Sequence, residues 1–522
     1  MADYNAEKYT QSAANFDKLF NTHSPNISPD MKYNGACVFA LNNESSKALA
    51  LLDDLATNFF YSDYSHITSD SDLNSLHSLA QWNAILEKVQ RNRETLPIRR
   101  KKLVVTELQK AKDLLSQENG QLWGANLWSD NTLVLDDDNI IYSLQALPNG
   151  KTDDGVLYYA SIPENTLNHT NTNQPFNGSQ WVTVRNDYLD DQSNTIIHEL
   201  FHLYHKQQIN LTGLIVEYLD EADARTWMRL EFEALRNALK KMNDGAPKSA
   251  VSAYLNDAMI FRKLREQKYS AYKQAALDLE NVEGLANYTG YKLSSQTDKY
   301  AKAIRELNER EAGSTLSRSF PYATGVAYGF IFDYLGINWR TDLKHVYDFR
   351  SIYERQYLQS TTRIRTADIN SSKSRNRFAA INREEQAKKR ENDRIAQYYT
   401  NALVLQPVLI VKPNLADKTL LMSYDMNSTF ALKGRGVVYS DIQASSVNPE
   451  QFGKFSMIEG KKGLGASGVL MNKDFSLITF PKPVKIEGNK ITGEYYEIEL
   501  NAGWKVVTLN AKGDIEIVKA KE

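Results

Sequence analysis

The sequence predicts an α+β protein, helix-rich over most of its length, with a twisted sheet ahead of its central helices and a β domain at its C-terminal end. Three observations carry that prediction. Apolar residues recur at helical spacing up to about residue 118 and again from Asp191 to about Tyr399. Between these stretches lie short aromatic and β-branched runs broken by Asn, Gly, Asp and Pro, and β patterns take over beyond about residue 405. At 522 residues the chain exceeds one ordinary core, so the expected division is 1–118 (helical), 119–400 (sheet, then helices) and 405–522 (β-rich).

In the first segment "SKALALLDDLATNFF" and "RKKLVVTELQKAKDLLSQ" carry apolar positions three and four apart, the period of a half-buried helix. From "LWGANLWSDNTLVLDDDNIIYSL" to "SQWVTVRNDYL" the runs shorten and read as strands of one sheet. Helical signals then return in "DARTWMRLEFEALRNALKKM" and in the charged "FAAINREEQAKKRENDRIAQYY", which reads as a solvated helix face rather than a binding arm. The final segment alternates apolar and polar residues, and Gly488–Asn489 between two such runs predicts a hairpin. "GLGASG", residues 463–468, matches a dinucleotide-loop pattern but lacks the strand-to-helix setting, so it reads as a turn.

Composition excludes several roles. With 62 basic and 64 acidic residues the formal charge is −2, which gives nucleic acid or an anionic membrane no electrostatic handle. The 29 tyrosines are scattered rather than interleaved with Lys or Arg, so no base-stacking platform is expected. A single cysteine, Cys37, rules out an intrachain disulfide and directs any metal to His, Asp and Glu. No apolar run reaches the roughly 20 residues that span a bilayer. No secretory signal stands at residues 1–16; an exported protein in its mature form is the expectation, with a cytoplasmic one as the alternative.

Three of the eight histidines fall within "TIIHELFHLYH", residues 195–205. At about 100° per residue, with His198 at zero, His202 falls near about 40°, His205 near about 340° and Glu199 near about 100°, while Ile196, Ile197, Leu200, Phe201, Leu203 and Tyr204 fill the opposite arc. Two imidazoles one turn apart can reach one Zn²⁺, and Glu199 on the flank is placed to take a proton from a water that the metal acidifies. This is the HExxH arrangement. His205 shares the stripe but lies beyond His202, so it reads as either a cleft-wall residue or a surface histidine rather than a ligand.

A catalytic zinc needs a third protein ligand. Glu221 in "YLDEADAR" follows His202 by 19 residues, and Glu283 in "ENVEGLANYTGYKL" lies farther on. "VEGLANY" resembles the EGxA segment in which gluzincin metallopeptidases, including the aminopeptidase-like group, carry their zinc glutamate. Tyr322 lies 39 residues after Glu283, in "FPYATGVAYGFIFDYL", which is similar to the tyrosine segment of that group. A wider set of bacterial HExxH proteins is also similar through "LWG", "HELFH", "MRLEFEAL", "EGLANYTG" and "YATGVAYG", over roughly residues 120–340.

The resemblance implies a zincin-like domain over 119–400 and zinc-dependent hydrolysis of peptide bonds in a peptide or protein substrate. Zn²⁺ would be held by His198, His202 and Glu283, with Glu199 as general base and Tyr322 as donor to the oxyanion, a role Tyr288 could take instead. Asp220, Glu231 and Glu233 read either as groups that orient the imidazoles or as salt-bridged helix-surface residues. The strand around Trp181–Val184 is the expected edge for an extended substrate. The glycine-rich strand by which aminopeptidases hold a substrate's N-terminus is not evident, so exopeptidase activity does not carry over. Rival expectations are a non-catalytic zinc-containing binding protein and a zinc hydrolase of another amide or an ester.

Overall fold

The computed structural model describes residues 8–23, 27–164, 166–186, 192–209, 211, 216–294, 298–313, 315–357, 366–416, 419–424, 428–458 and 460–520. The architecture is α+β, with helices first and a sheet-rich region at the C-terminal end. Two compact units divide the chain. The first takes 1–213, 277–299 and 328–347, and the second takes 214–276, 300–327 and 348–522. Asp191, where helical signals resume in the sequence, lies outside the described residues.

The first unit opens with helices α1 (Tyr9–His23), α2 (Pro29–Leu41), α3 (Ser45–Asn58), α4 (Tyr64–Ser69) and α5 (Ala80–Glu118). Local chemistry sets their ends. The Ser28 side chain accepts from Met31 N with Pro29 at the first helical position, and Asn119 ends α5 in the left-handed conformation at φ 47°. Phe16, Phe39, Leu52, Leu55, Trp82 and Ile85 share one buried core.

Strands β1 (Thr132–Leu135), β2 (Ile140–Ser143), β3 (Lys151–Thr152), β4 (Tyr158–Ser161), β5 (Thr172–Phe176) and β6 (Ser179–Arg185) form one sheet in the order β3-β4-β2-β1-β6-β5. β1 and β6 run parallel, Leu133 beside Thr183, and the other pairs are antiparallel. The expected edge at Trp181–Val184 is therefore corrected: β6 is an interior strand, with β1 on one side and β5 on the other. The cause is a tight hairpin. Asn177 and Gly178 both take positive φ, 47° and 76°, as a two-residue turn between twisted strands requires, so β5 folds back over that edge.

The remaining helices are α6 (Ser193–Gln208), α7 (Ala222–Asn243), α8 (Lys248–Lys268), α9 (Lys273–Leu279), α10 (Leu285–Leu293), α11 (Lys299–Ala312), α12 (Phe320–Leu335), α13 (Phe349–Tyr357), α14 (Thr366–Arg375) and α15 (Phe378–Thr400). In the second unit α7 packs along α8, and the charged α15 lies against α7. Most of the α15 charges are exposed, as a solvated face should be. Glu385 is the exception: it is buried against Arg225 at 3.0 Å and Arg229 at 2.9 Å.

Among the described residues the C-terminal part of the second unit holds thirteen further strands, β7 (Val408–Val411), β8 (Leu421–Tyr424), β9 (Thr429–Leu432), β10 (Gly436–Tyr439), β11 (Ile442–Ser445), β12 (Gly453–Met457), β13 (Val469–Met471), β14 (Ile478–Pro481), β15 (Lys485–Glu487), β16 (Lys490–Thr492), β17 (Tyr496–Leu500), β18 (Trp504–Thr508) and β19 (Ile515–Lys519). They pair as β18-β19-β7-β14-β13-β10-β9 and β15-β16-β17-β12-β11-β8. The two sheets share one core, in which the Phe455 and Phe480 rings meet at 5.0 Å, as in a sandwich. Glu487 pairs with Lys490 around the Gly488–Asn489 turn, and residues 464–466 of "GLGASG" form a turn that leads into β13.

Candidate metal centre

The segment 193–208 folds as the helix its periodicity predicts, and α6 packs on β5, β6, α5 and α10. Gln192 supplies no side-chain cap, so the N–H of Ser193 donates instead to the buried Glu107 carboxylate of α5, at 2.9 Å. A negative charge at that end also complements the helix dipole. Ile196, Ile197, Leu200 and Phe201 are fully buried, and His198 and Glu199 are buried too, with His202 half-buried. Leu203 and Tyr204, expected in the core, are half-buried.

His198 Nε2 and His202 Nε2 stand 3.0 Å apart, and Glu283 Oε2 lies 3.6 Å from the first and 3.4 Å from the second. Donors at about 2.0–2.1 Å from one tetrahedral ion must lie about 3.3 Å from each other. The triangle formed by these three atoms is of that size. One carboxylate and two imidazoles are also a donor set suited to Zn²⁺.

Glu283 reaches this position from a π-turn, Glu280–Gly284, that joins α9 to α10. Two glycines and a tryptophan then seat α10. Gly290 has no room for a side chain: a Cβ there would lie 2.6 Å from the Asn194 carbonyl oxygen and meet Asn194 Oδ1 as well. Gly329 of α12 lies against Tyr288 of α10, where a Cβ would stand 2.5 Å from Cε2. Trp123 is fully buried, donates from Nε1 to Thr289 Oγ1 at 3.0 Å and meets the Phe201 ring edge-on at 6.0 Å. The "LWG", "EGLANYTG" and "YATGVAYG" segments thus seat α10 against α6 on one side and against the 328–335 part of α12 on another.

Burial pushes the Glu199 carboxyl above the ordinary glutamate range, against the opposing pull of His198 and His202, and the Glu283 charge adds to the rise. For His202 burial acts downward, but the hydrogen bond to Glu283 and the charges of Glu199 and Glu283 outweigh it and raise the imidazole. The Glu199 carbonyl accepts from Asn173 Nδ2 of β5 at 3.3 Å.

His205 lies outside the donor triangle and is not a surface residue. It is buried against Phe201, ring centres 5.0 Å apart, and its Nε2 has no hydrogen-bond partner among the described residues. Burial, with the His202 charge, pushes it down to about 4 from 6.5. A depressed histidine favours the fold only while neutral: its stabilising effect is complete above pH 6.5 and is lost as pH falls towards about 4. The loss amounts to about 3 kcal/mol at most. His205→Phe should therefore flatten the fall in unfolding free energy between pH 6.5 and 4, measured by urea titration; an unchanged slope would count against this origin.

The other residues singled out in the sequence lie in the second unit, apart from Tyr288. Glu221 is the exposed residue preceding α7. Tyr322, on α12, is half-buried with the Arg310 guanidinium 4.8 Å from its ring centre. Asp220 accepts from Thr315 Oγ1 and Ser317 Oγ, each at 2.7 Å. Glu231 is buried between Arg262 at 2.8 Å and Arg265 at 2.9 Å, and Glu233 pairs with Arg236. These glutamates are salt-bridged but buried, rather than on a helix surface. In the first unit the Tyr288 hydroxyl is already committed, donating to Asp333 at 2.7 Å and accepting from Arg340 at 2.5 Å, which leaves it no proton for an oxyanion.

Cys37, Asp70 and Asp72 form a second group of donor atoms within 4.8 Å of one another. There Asp70 accepts from Asp72 N at 3.0 Å and Tyr33 Oη at 3.1 Å, and burial with both carboxylates pushes the Cys37 thiol up. No helix among the described residues is long and apolar enough to cross a membrane. Comparison of the chain with protein families, curated proteins and solved structures yields no match.

Proposed function

We propose that the chain is a zinc-dependent hydrolase of peptide bonds, with Zn²⁺ held by His198, His202 and Glu283. The observation that carries this reading is the donor triangle, with edges of 3.0, 3.6 and 3.4 Å, built from two helical turns and a distant π-turn. A buried ion-pair cluster has no need of Glu199, a second carboxylate next to His198 that burial holds above its ordinary range. The choice of a peptide bond rests on the resemblance of "HELFH", "VEGLANY" and "FPYATG" to gluzincins.

When bound, Zn²⁺ would supply a Lewis acid for the scissile carbonyl and bring the pKa of water down to near 7. The chain's own part is proton transfer. Glu199 accepts the proton of the attacking water and hands it to the departing amine, so that one carboxyl serves as base and then as acid. A pKa raised by burial brings that carboxyl closer to the operating pH, which favours both steps. His198 and His202 are held by a helix whose first turn is capped from α5, which limits their movement.

The test is metal content together with cleavage of a mixed peptide library. The purified chain is expected to hold one zinc, to lose cleavage on chelation and to regain it when zinc is restored. A protein that takes up no zinc, or one whose cleavage survives complete chelation, would sink the proposal.

A further inference from the structure

The π-turn that carries Glu283 is fastened on both sides. Downstream, Gly290 against Asn194 and Thr289 against Trp123 fix the register of α10. Upstream, the Asn281 side chain is 1 % exposed and wholly engaged. Its Nδ2 donates to the Leu277 carbonyl at 2.9 Å and the Tyr347 carbonyl at 3.0 Å, and its Oδ1 accepts from Tyr347 N at 2.7 Å.

A π-turn holds one residue more than an α-helical turn and displaces backbone groups from their usual partners. Leu285 N–H reaches back to Glu280 O, five residues earlier, and the Asn281 amide covers the Leu277 carbonyl, four residues before it. Absorbing the extra residue into a regular helix would turn Glu283 by about 100° relative to α10. That would carry its carboxylate away from the two imidazoles.

We infer that Asn281 is a positioning residue for the metal donor Glu283: by tying the π-turn to the Tyr347 backbone it holds that carboxylate against His198 and His202. This rests on the metal reading above and adds the residue that sets the donor's register.

The test uses the full chain, freed of metal by chelation and titrated with Zn²⁺ alone. Asn281→Ala is expected to weaken zinc binding about 10- to 100-fold, the range found for groups that orient ligands. In a Glu283→Gln background the same change should alter the affinity by less than about twofold, because the donor it acts through is gone. With Co²⁺ in place of zinc, the visible bands of Asn281→Ala should move towards those of Glu283→Gln.

Alanine removes the side-chain hydrogen bonds to three backbone groups, so Asn281→Ser, which keeps a donor and an acceptor, is measured beside it and replaces it if alanine does not fold. A folded variant with the parent's affinity, or an equal loss in both backgrounds, overturns the inference and leaves the metal site standing. A parent that binds no zinc overturns the reading beneath it.

Discussion

Glu199→Gln is expected to lower kcat on any cleaved peptide about 10³-fold, within the 10²–10⁴-fold range of a general base, while the protein still binds one zinc. Glutamine keeps the shape of the side chain and removes the group that accepts a proton. The three donors, His198, His202 and Glu283, are untouched, so zinc content separates loss of chemistry from loss of the site. KM should stay within about twofold, because a group acting mainly in the transition state contributes little to ground-state binding. A variant with parental kcat would show that another group takes the proton. A variant that loses zinc as well would make Glu199 a structural partner of the ion.

Gly290→Ala is expected to destabilise the chain by about 2–3 kcal/mol, with the sign opposite to that for an exposed helix. In an open helix interior alanine is favoured over glycine by about 1 kcal/mol. Here the added Cβ would lie 2.6 Å from the Asn194 carbonyl oxygen, a backbone atom of the helix that carries His198 and His202. Backbone cannot swing aside as a side-chain tip can, so α6 and α10 must separate, and overpacking of this kind costs about 1–3 kcal/mol. The separation also widens the donor triangle, so zinc affinity should fall with stability. Asn194→Ala in the same chain would relieve the Oδ1 contact and recover only part of the loss. An unfolding transition at or above the parental midpoint would show that the helices yield at no cost.

Some of this is legible in the sequence for clear physical reasons. The helix at 193–208 is written in its neighbours: six apolar residues on one arc and three histidines on the other leave a strand no consistent face. The Gly488–Asn489 hairpin is equally local. Glu283 is different. Nothing in its spacing singles it out over Glu221, and only the likeness of its segment to gluzincins does so.

What periodicity misses is what depends on distant partners. A helical wheel sorts residues into faces but is silent on whether the polar face is covered, which is why His205 turns out buried and Leu203 only half so. The cap on α6 comes from Glu107, 86 residues upstream, with no local mark. The anchoring of Asn281 by the Tyr347 backbone is likewise invisible, since the two lie 66 residues apart with no local mark. The position of β6 was within reach, because Asn177–Gly178 is a strong hairpin signal that puts another strand on the edge.

The third proposed donor, Glu283, rejoins the two histidines only after a detour. His202 belongs to the first unit, residues 214–276 to the second, and Glu283 to the first again. Entropy tolerates such an excursion, because each doubling of a loop adds only about 0.6 kcal/mol to the cost of closing it. Synthesis is less indifferent. On the zinc reading proposed above, a nascent chain carries the two histidines alone throughout the making of that excursion, and the carboxylate emerges last, so the donor set is complete only once the intervening helices have been made.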